Sequence, residues 1–128
     1  MTYTIDRKLH GITLDEAEAR TRLVLAEAGF GVLTEIDVQA TMKKKLGEDM
    51  AGYRILGACN PNMAHQALKH EPQVGAMLPC NVILREVDGG VEISAIDPVA
   101  SMQAIDNPEL VRVAGQVREM LDKVVQDV

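Results

Sequence analysis

The groups best able to do chemistry in this sequence lie in two short stretches, Gly57-Ala58-Cys59-Asn60-Pro61 and Leu78-Pro79-Cys80-Asn81. Cys59 closes an apolar run and stands directly before Asn60-Pro61, which reads as the N-cap and first-turn proline of a helix. The free N–H groups and dipole of a helix start favour negative charge, so a thiol placed there is a candidate nucleophile or redox group. His65 falls on the same predicted helix and is the one local base for such a thiol. Two thiolates and an imidazole are also ligand types for zinc, copper or iron, making Cys59, Cys80 and His65 a candidate metal set. Their spacing matches no paired Cys-x2-Cys pattern. A cysteine at a strand end can equally be a small hydrophobe that fills the core.

The same helix start suits a small anion or other small molecule, because its N–H groups accept a carboxylate or phosphate. Lys43, Lys45 and Arg54 are the cations that would assist, unless Asn60 itself fills the cap. Glu35 and Asp37, two apart at a strand end, have the makings of an acid–base pair or a cation site; Asp37 as a helix N-cap explains them equally well. The ligand-binding candidates are therefore Cys59, Asn60, Pro61, Cys80, Asn81, Glu35 and Lys45. His10 and His70 read as surface residues. Neither G-x-x-x-x-G-K-[ST] nor G-x-G-x-x-G occurs, so no glycine-rich phosphate loop is expected.

The elements that must position these groups follow from caps and periodicity. Residues 2–7 alternate weakly as a first strand. Thr13 and Glu16 have capping-box spacing, and Leu14, Ala17, Thr21, Val24, Leu25 and Ala28 then recur at helical intervals up to a Gly29 stop. Phe30 to Ile36 reads as a strand, and Asp37 caps a short helix ending at Leu46 before Gly47. Tyr53 to Cys59 is a second clear strand, followed by a helix from Pro61 to about His70 that Pro72 ends. Cys80–Val87 and Val91–Ile96 flank Asp88-Gly89-Gly90 as a β-hairpin, Asp97-Pro98 breaks the second strand, and a helix from about 108 to 126 closes the chain. The order β-α-β-α-β-α-β-β-α predicts an α+β fold, a two-layer arrangement with helices packed on a largely antiparallel sheet, in one domain over 1–128. Val82-Ile83-Leu84 is apolar at three successive positions, so both sheet faces are expected to be covered there, by a helix or by a second copy in a homodimer.

Bulk properties limit the function classes. The chain has 128 residues, 47% apolar and 25% charged, enough to bury a core without a disulfide or metal. Net charge is −6 with only Tyr3, Phe30 and Tyr53 as aromatics, which argues against nucleic acid, since that needs basic surface and stacking platforms. No signal peptide is visible, and no apolar stretch approaches the ~20 residues of a membrane span, so a cytoplasmic location with free thiols is expected.

Gly29-Phe30-Gly31-Val32-Leu33-Thr34-Glu35-Ile36-Asp37, Tyr53-Arg54-Ile55-Leu56-Gly57-Ala58-Cys59-Asn60-Pro61, Leu78-Pro79-Cys80-Asn81-Val82 and Ile96-Asp97-Pro98 together resemble the family called domain of unknown function 302. The resemblance runs from about residue 29 to 98. It implies a compact two-layer α/β domain, commonly a homodimer, and no reaction; both Cys-Asn dipeptides belong to the family pattern. Met50-Ala51-Gly52 departs from it, where members often carry an aromatic and a proline. The resulting expectation is a homodimeric small-ligand-binding or interaction domain with a polar site at Cys59-Asn60 and Cys80-Asn81. The alternative is a thiol-dependent redox or metal protein using Cys59, Cys80 and His65.

Overall fold

Thr13 opens the first helix as its spacing from Glu16 predicts: its Oγ1 accepts a hydrogen bond from the Glu16 N–H at 3.1 Å, and Glu16 Oε1 accepts one from the Thr13 N–H at 3.2 Å. At the other end Gly29, with φ +89°, turns the chain while the Phe30 N–H reaches back to the Leu25 carbonyl at 2.9 Å. The structure, a computed structural model, describes residues 2–128. In chain order it contains β1 (Thr4–His10), α1 (Leu14–Glu27), β2 (Gly31–Asp37), α2 (Val38–Leu46), β3 (Tyr53–Cys59), α3 (Pro61–His70), a 3-10 turn (Pro72–Met77), β4 (Cys80–Val87), β5 (Gly90–Ile96), α4 (Pro98–Ser101) and α5 (Pro108–Asp127).

The strands form one sheet in the order β1-β5-β4-β3-β2, with every neighbouring pair antiparallel. Alternation along each strand divides it into two faces. Leu9 on β1, Leu56 and Ala58 on β3, Cys80, Val82 and Leu84 on β4, and Val91, Ile93 and Ala95 on β5 are buried and share the helical side. There α5 packs against α1, α3, β1 and β5, and α1 packs over β4 and β5. The buried stripe Leu110, Val113, Ala114, Val117, Leu121, Val124 and Val125 recurs at helical spacing, and burying each of its larger side chains contributes about 1.5–3 kcal/mol. Arg7 fastens the end of this helix, donating from Nη1 to the carbonyls of Val125 at 3.1 Å and Gln126 at 2.7 Å. Those carbonyls have no partner within the helix, so the arginine supplies what the last turn lacks.

Three elements differ from the sequence reading. The first strand runs from Thr4 to His10 and not over 2–7, because its ladder to β5 continues through Lys8–Glu92, Leu9–Val91 and His10–Gly90. His10 accordingly ends a strand. Gly90 makes that close approach feasible: a Cβ there would lie 1.9 Å from the Leu9 carbonyl oxygen. Pro72 starts a 3-10 turn as well as ending α3, and Asp97-Pro98 opens α4 as it stops β5. Ile83 faces away from the helical side and is half-buried, while Val82 and Leu84 are fully buried beneath the helices. Among the described residues no helix is long and apolar enough to cross a membrane.

Candidate functional site

The ends of β3 and β4 meet where Ala58 pairs with Cys80. One feature lets the strands close at that point. Gly57 has no side chain because Thr34 and Pro79 occupy its space: a Cβ there would lie 2.1 Å from Thr34 Oγ1 and 2.7 Å from Pro79 Cγ. The Leu78–Pro79 peptide is cis, carrying the chain from the 3-10 turn into β4. Asn60 then starts α3 directly after Cys59, its Oδ1 accepting the Met63 N–H at 3.2 Å.

Between these strand ends and the helices above lies a cavity of about 30 Å³. Its floor is Ala58, Cys59 and Cys80. Met63, Ala64 and Ala67 of α3 form one wall, and Leu110, Val113, Ala114 and Val117 of α5 the opposite one; Phe30, Leu78, Pro98 and Met102 close the ends. Asn60 is the sole polar side chain on this boundary. The two helical walls are tied together by Asn107, whose Oδ1 caps α5 while its Nδ2 donates to the His70 carbonyl at 3.0 Å. Asp97 holds the Pro98 end, accepting from the Val99 N–H at 2.9 Å and from Arg118 Nε at 3.0 Å.

Both cysteines are free thiols, Cys59 half-buried and Cys80 buried. Burial, with a smaller contribution from the neighbouring Cys59, pushes the Cys80 thiol up to about 11. Cys80 is therefore a neutral thiol at pH 7, held ready by neither a base nor a helix dipole.

The other candidates are distributed elsewhere. His65 is exposed on α3, while its neighbours Met63, Ala64 and Ala67 face the cavity. Asn81 is exposed on the sheet face opposite Cys80, as consecutive strand residues must be. Pro61 is exposed at the first turn of α3 and contributes its backbone geometry. Glu35 is exposed on β2 and pairs with Arg22 at 2.9 Å. Asp37 caps α2, accepting from the Ala40 N–H at 2.9 Å. Lys45 is exposed on α2, Lys43 pairs with Asp49, and Arg54 pairs with Asp15 and Glu18 at the end of β3 remote from Asn60. The α3 cap is filled by Asn60 itself. Among the described residues no three His, Cys, Asp or Glu side chains are placed to share a metal ion. The Met50-Ala51-Gly52 loop does not border the cavity; Gly52 instead lies against Glu86 and Leu14.

The sequence reading missed Met63, Met102 and the α5 wall. Their signal was present in the helical spacing of Met63, Ala64 and Ala67, which turns His65 outward, but nothing local links α5 to Cys59.

No curated protein matches this chain. A solved structure described as an uncharacterized conserved protein DUF302 from Bacillus stearothermophilus is similar over 99% of this chain and 98% of its own, with a TM-score of 0.92 and 24% identity. That likeness establishes the five-stranded two-layer fold. The family model described as Domain of unknown function DUF302 matches residues 5–128, so this chain belongs to the DUF302 family.

Proposed function

We propose that this protein is a small-ligand-binding domain whose site is the cavity between the β3 and β4 ends, α3 and α5. The observation that carries this reading is free volume bordered by both cysteines and placed directly beside a helix start. Interiors are close-packed, so a void of this kind lowers stability unless something fills it. The wall is apolar with Asn60 as a single polar mark, and a volume of about 30 Å³ limits the guest to one of water size or a few atoms. The test is an amide-resolved NMR titration with a panel of small solutes, apolar fragments and soft ions alike. Ala58, Cys59, Ala64 and Val113 are expected to shift together and saturably. Shifts scattered over the surface, or none, remove the reading.

The assembly proposed with it is a homodimer through the sheet face away from α1 and α5. Tyr53, Ile55 and Ile83 are half-buried there and Ile36 is 46% exposed, an apolar strip with Asp6, Lys8, Arg85 and Glu92 beside it as mixed charge. Light scattering at micromolar protein is expected to give twice the chain mass, and Ile83→Asp to halve it. A monomeric parent chain sinks the assembly and leaves the cavity reading intact.

A further inference from the structure

The cavity between the strand ends, α3 and α5 offers a guest almost nothing to hydrogen-bond. Its helical walls are apolar, with Met63, Ala64 and Ala67 on one side and Val113, Ala114 and Val117 on the other. Asn60, the sole polar side chain on the boundary, spends its Oδ1 on the α3 cap. Its Nδ2 lies beside Gly29, where a Cβ would be 3.2 Å away. The strand backbone below is committed to the sheet, Ala58 standing between Val32 on β2 and Cys80 on β4. Burial keeps Cys80 a neutral thiol, which is a weak donor. Among the described residues no buried side-chain nitrogen or oxygen lacks a partner, so none is left waiting for a guest.

We propose that the cavity takes an uncharged apolar molecule of about two or three heavy atoms, of the kind dioxygen represents, and excludes water and ions. This rests on the reading of the cavity as a binding site and names the class of its ligand. A buried water needs about 2–4 polar partners, and this boundary supplies at most one weak thiol. An ion would surrender its hydration and meet no opposite charge. Larger organic ligands are excluded by size: about 30 Å³ holds roughly two water-sized spheres, far below the ~300 Å³ at which organic-ligand pockets begin. Dispersion is what remains. Wall atoms facing a void lack neighbours on one side, and a small apolar guest restores those contacts. The thioethers of Met63 and Met102, both on the boundary, are polarizable and strengthen them. Entry is from the α3 side, where Met63 and Ala64 are half-buried, whereas Ala67, Val113 and Ala114 are buried. Met63 has three torsions with which to open that side. Binding makes and breaks no covalent bond.

The full-length protein is equilibrated with xenon, an inert apolar probe, and methyl and amide shifts are followed by NMR as gas pressure rises. The same spectra under dioxygen read its paramagnetic relaxation. Ala64, Ala67, Val113 and Val117 are expected to shift saturably with xenon, and to relax faster under dioxygen than the exposed methyls of Leu23 and Leu33. Ala64→Val should abolish the xenon response by filling the volume. Val113→Thr keeps the shape but puts a hydroxyl on the wall, and should weaken xenon binding about threefold or more. The parent chain alone carries the test should either variant not fold. Gas effects no stronger at the cavity than at Leu23 and Leu33, xenon binding undiminished in both variants, or a bound water cross-relaxing with Ala64 and Val113 each overturns the assignment. If the gases fail while ammonium or formate shifts Ala64 and Val113, the apolar assignment falls and the cavity remains a site. If nothing shifts them, both fall.

Discussion

Strand β3 carries an arginine near one end and a cysteine at the other, and their surroundings solve opposite problems. Arg54 is enclosed by charge: its guanidinium meets Asp15 at 2.7 Å and Glu18 at 3.0 Å, Glu18 meets Arg22 at 2.9 Å, and Arg22 meets Glu35 at 2.9 Å. Those carboxylates hold the Arg54 pKa above its ordinary value, the hydrogen bond that Arg54 donates to Asp15 contributing most. Cys59, five residues on, borders unfilled apolar volume. The charged end has used its bonding capacity internally, and among the described residues no buried side-chain nitrogen or oxygen lacks a partner. The sulfur end has donors that nothing in the fold consumes. Binding capacity is therefore expected where the fold has left its groups unengaged, and charge density is a poor guide to it in this molecule.

The largest test of this contrast uses pH. The Cys80 thiol moves from its ordinary 9.0 to about 11 in the folded chain. In that window the unfolded chain loses the proton first, so stability present below pH 9 falls by about 2–3 kcal/mol as pH rises to 11. Urea midpoints measured across the window should show this fall in the parent chain and lack it in Cys80→Ala. Parallel curves for the two would mean that the thiol is not desolvated. Next in size, Arg54→Met should cost about 1–2 kcal/mol, because Glu18, only 15% exposed, loses a partner it keeps from solvent. An unchanged unfolding midpoint would show that Arg22 alone satisfies Glu18. Ala64→Val should stabilise by about 0.5–1 kcal/mol by filling the cavity, while removing the solute-induced shifts at Ala58 and Val113. A destabilised variant would mean that the walls are already in contact. Smallest, raising salt to 1 M should weaken the exposed outer pairs by about 0.5 kcal/mol or less and leave the sulfur end untouched. Amide exchange read separately in α1 and α3 resolves the two.

Most of the framework is written locally in the sequence. Thr13, Asp37 and Asn60 are legible caps because a side-chain oxygen next to a helical run has one evident use, and each makes that bond in the structure. Gly29 and the Asp88-Gly89-Gly90 turn are legible for the same reason of conformation, with φ of +89° at Gly29 and +82° at Gly89. The candidate site was half legible. Cys59 and Cys80 both border the cavity, whereas strand alternation separates the Asn81 and Cys59 side chains from Cys80, and helical phase separates His65 from Met63. The contribution of Met102 and α5 was hidden because thioethers and valines carry no spacing signature, and their approach to Cys59 depends on packing between elements more than forty residues apart. The length of β1 was hidden by exposed Lys8 and His10, which pair through the backbone irrespective of side chain.

The pairing of Thr4–His10 with Gly90–Ile96 has a kinetic consequence. Joining the two outermost strands in sequence closes a loop of most of the chain before any ladder bond forms, whereas β4 and β5 meet across a tight turn. The hairpin, then β3, are expected to assemble on local contacts, with β1 and the arginine that secures α5 joining last. High sequence separation between partners is expected to slow folding relative to local contacts, with the first strand pairing after the β4–β5 hairpin.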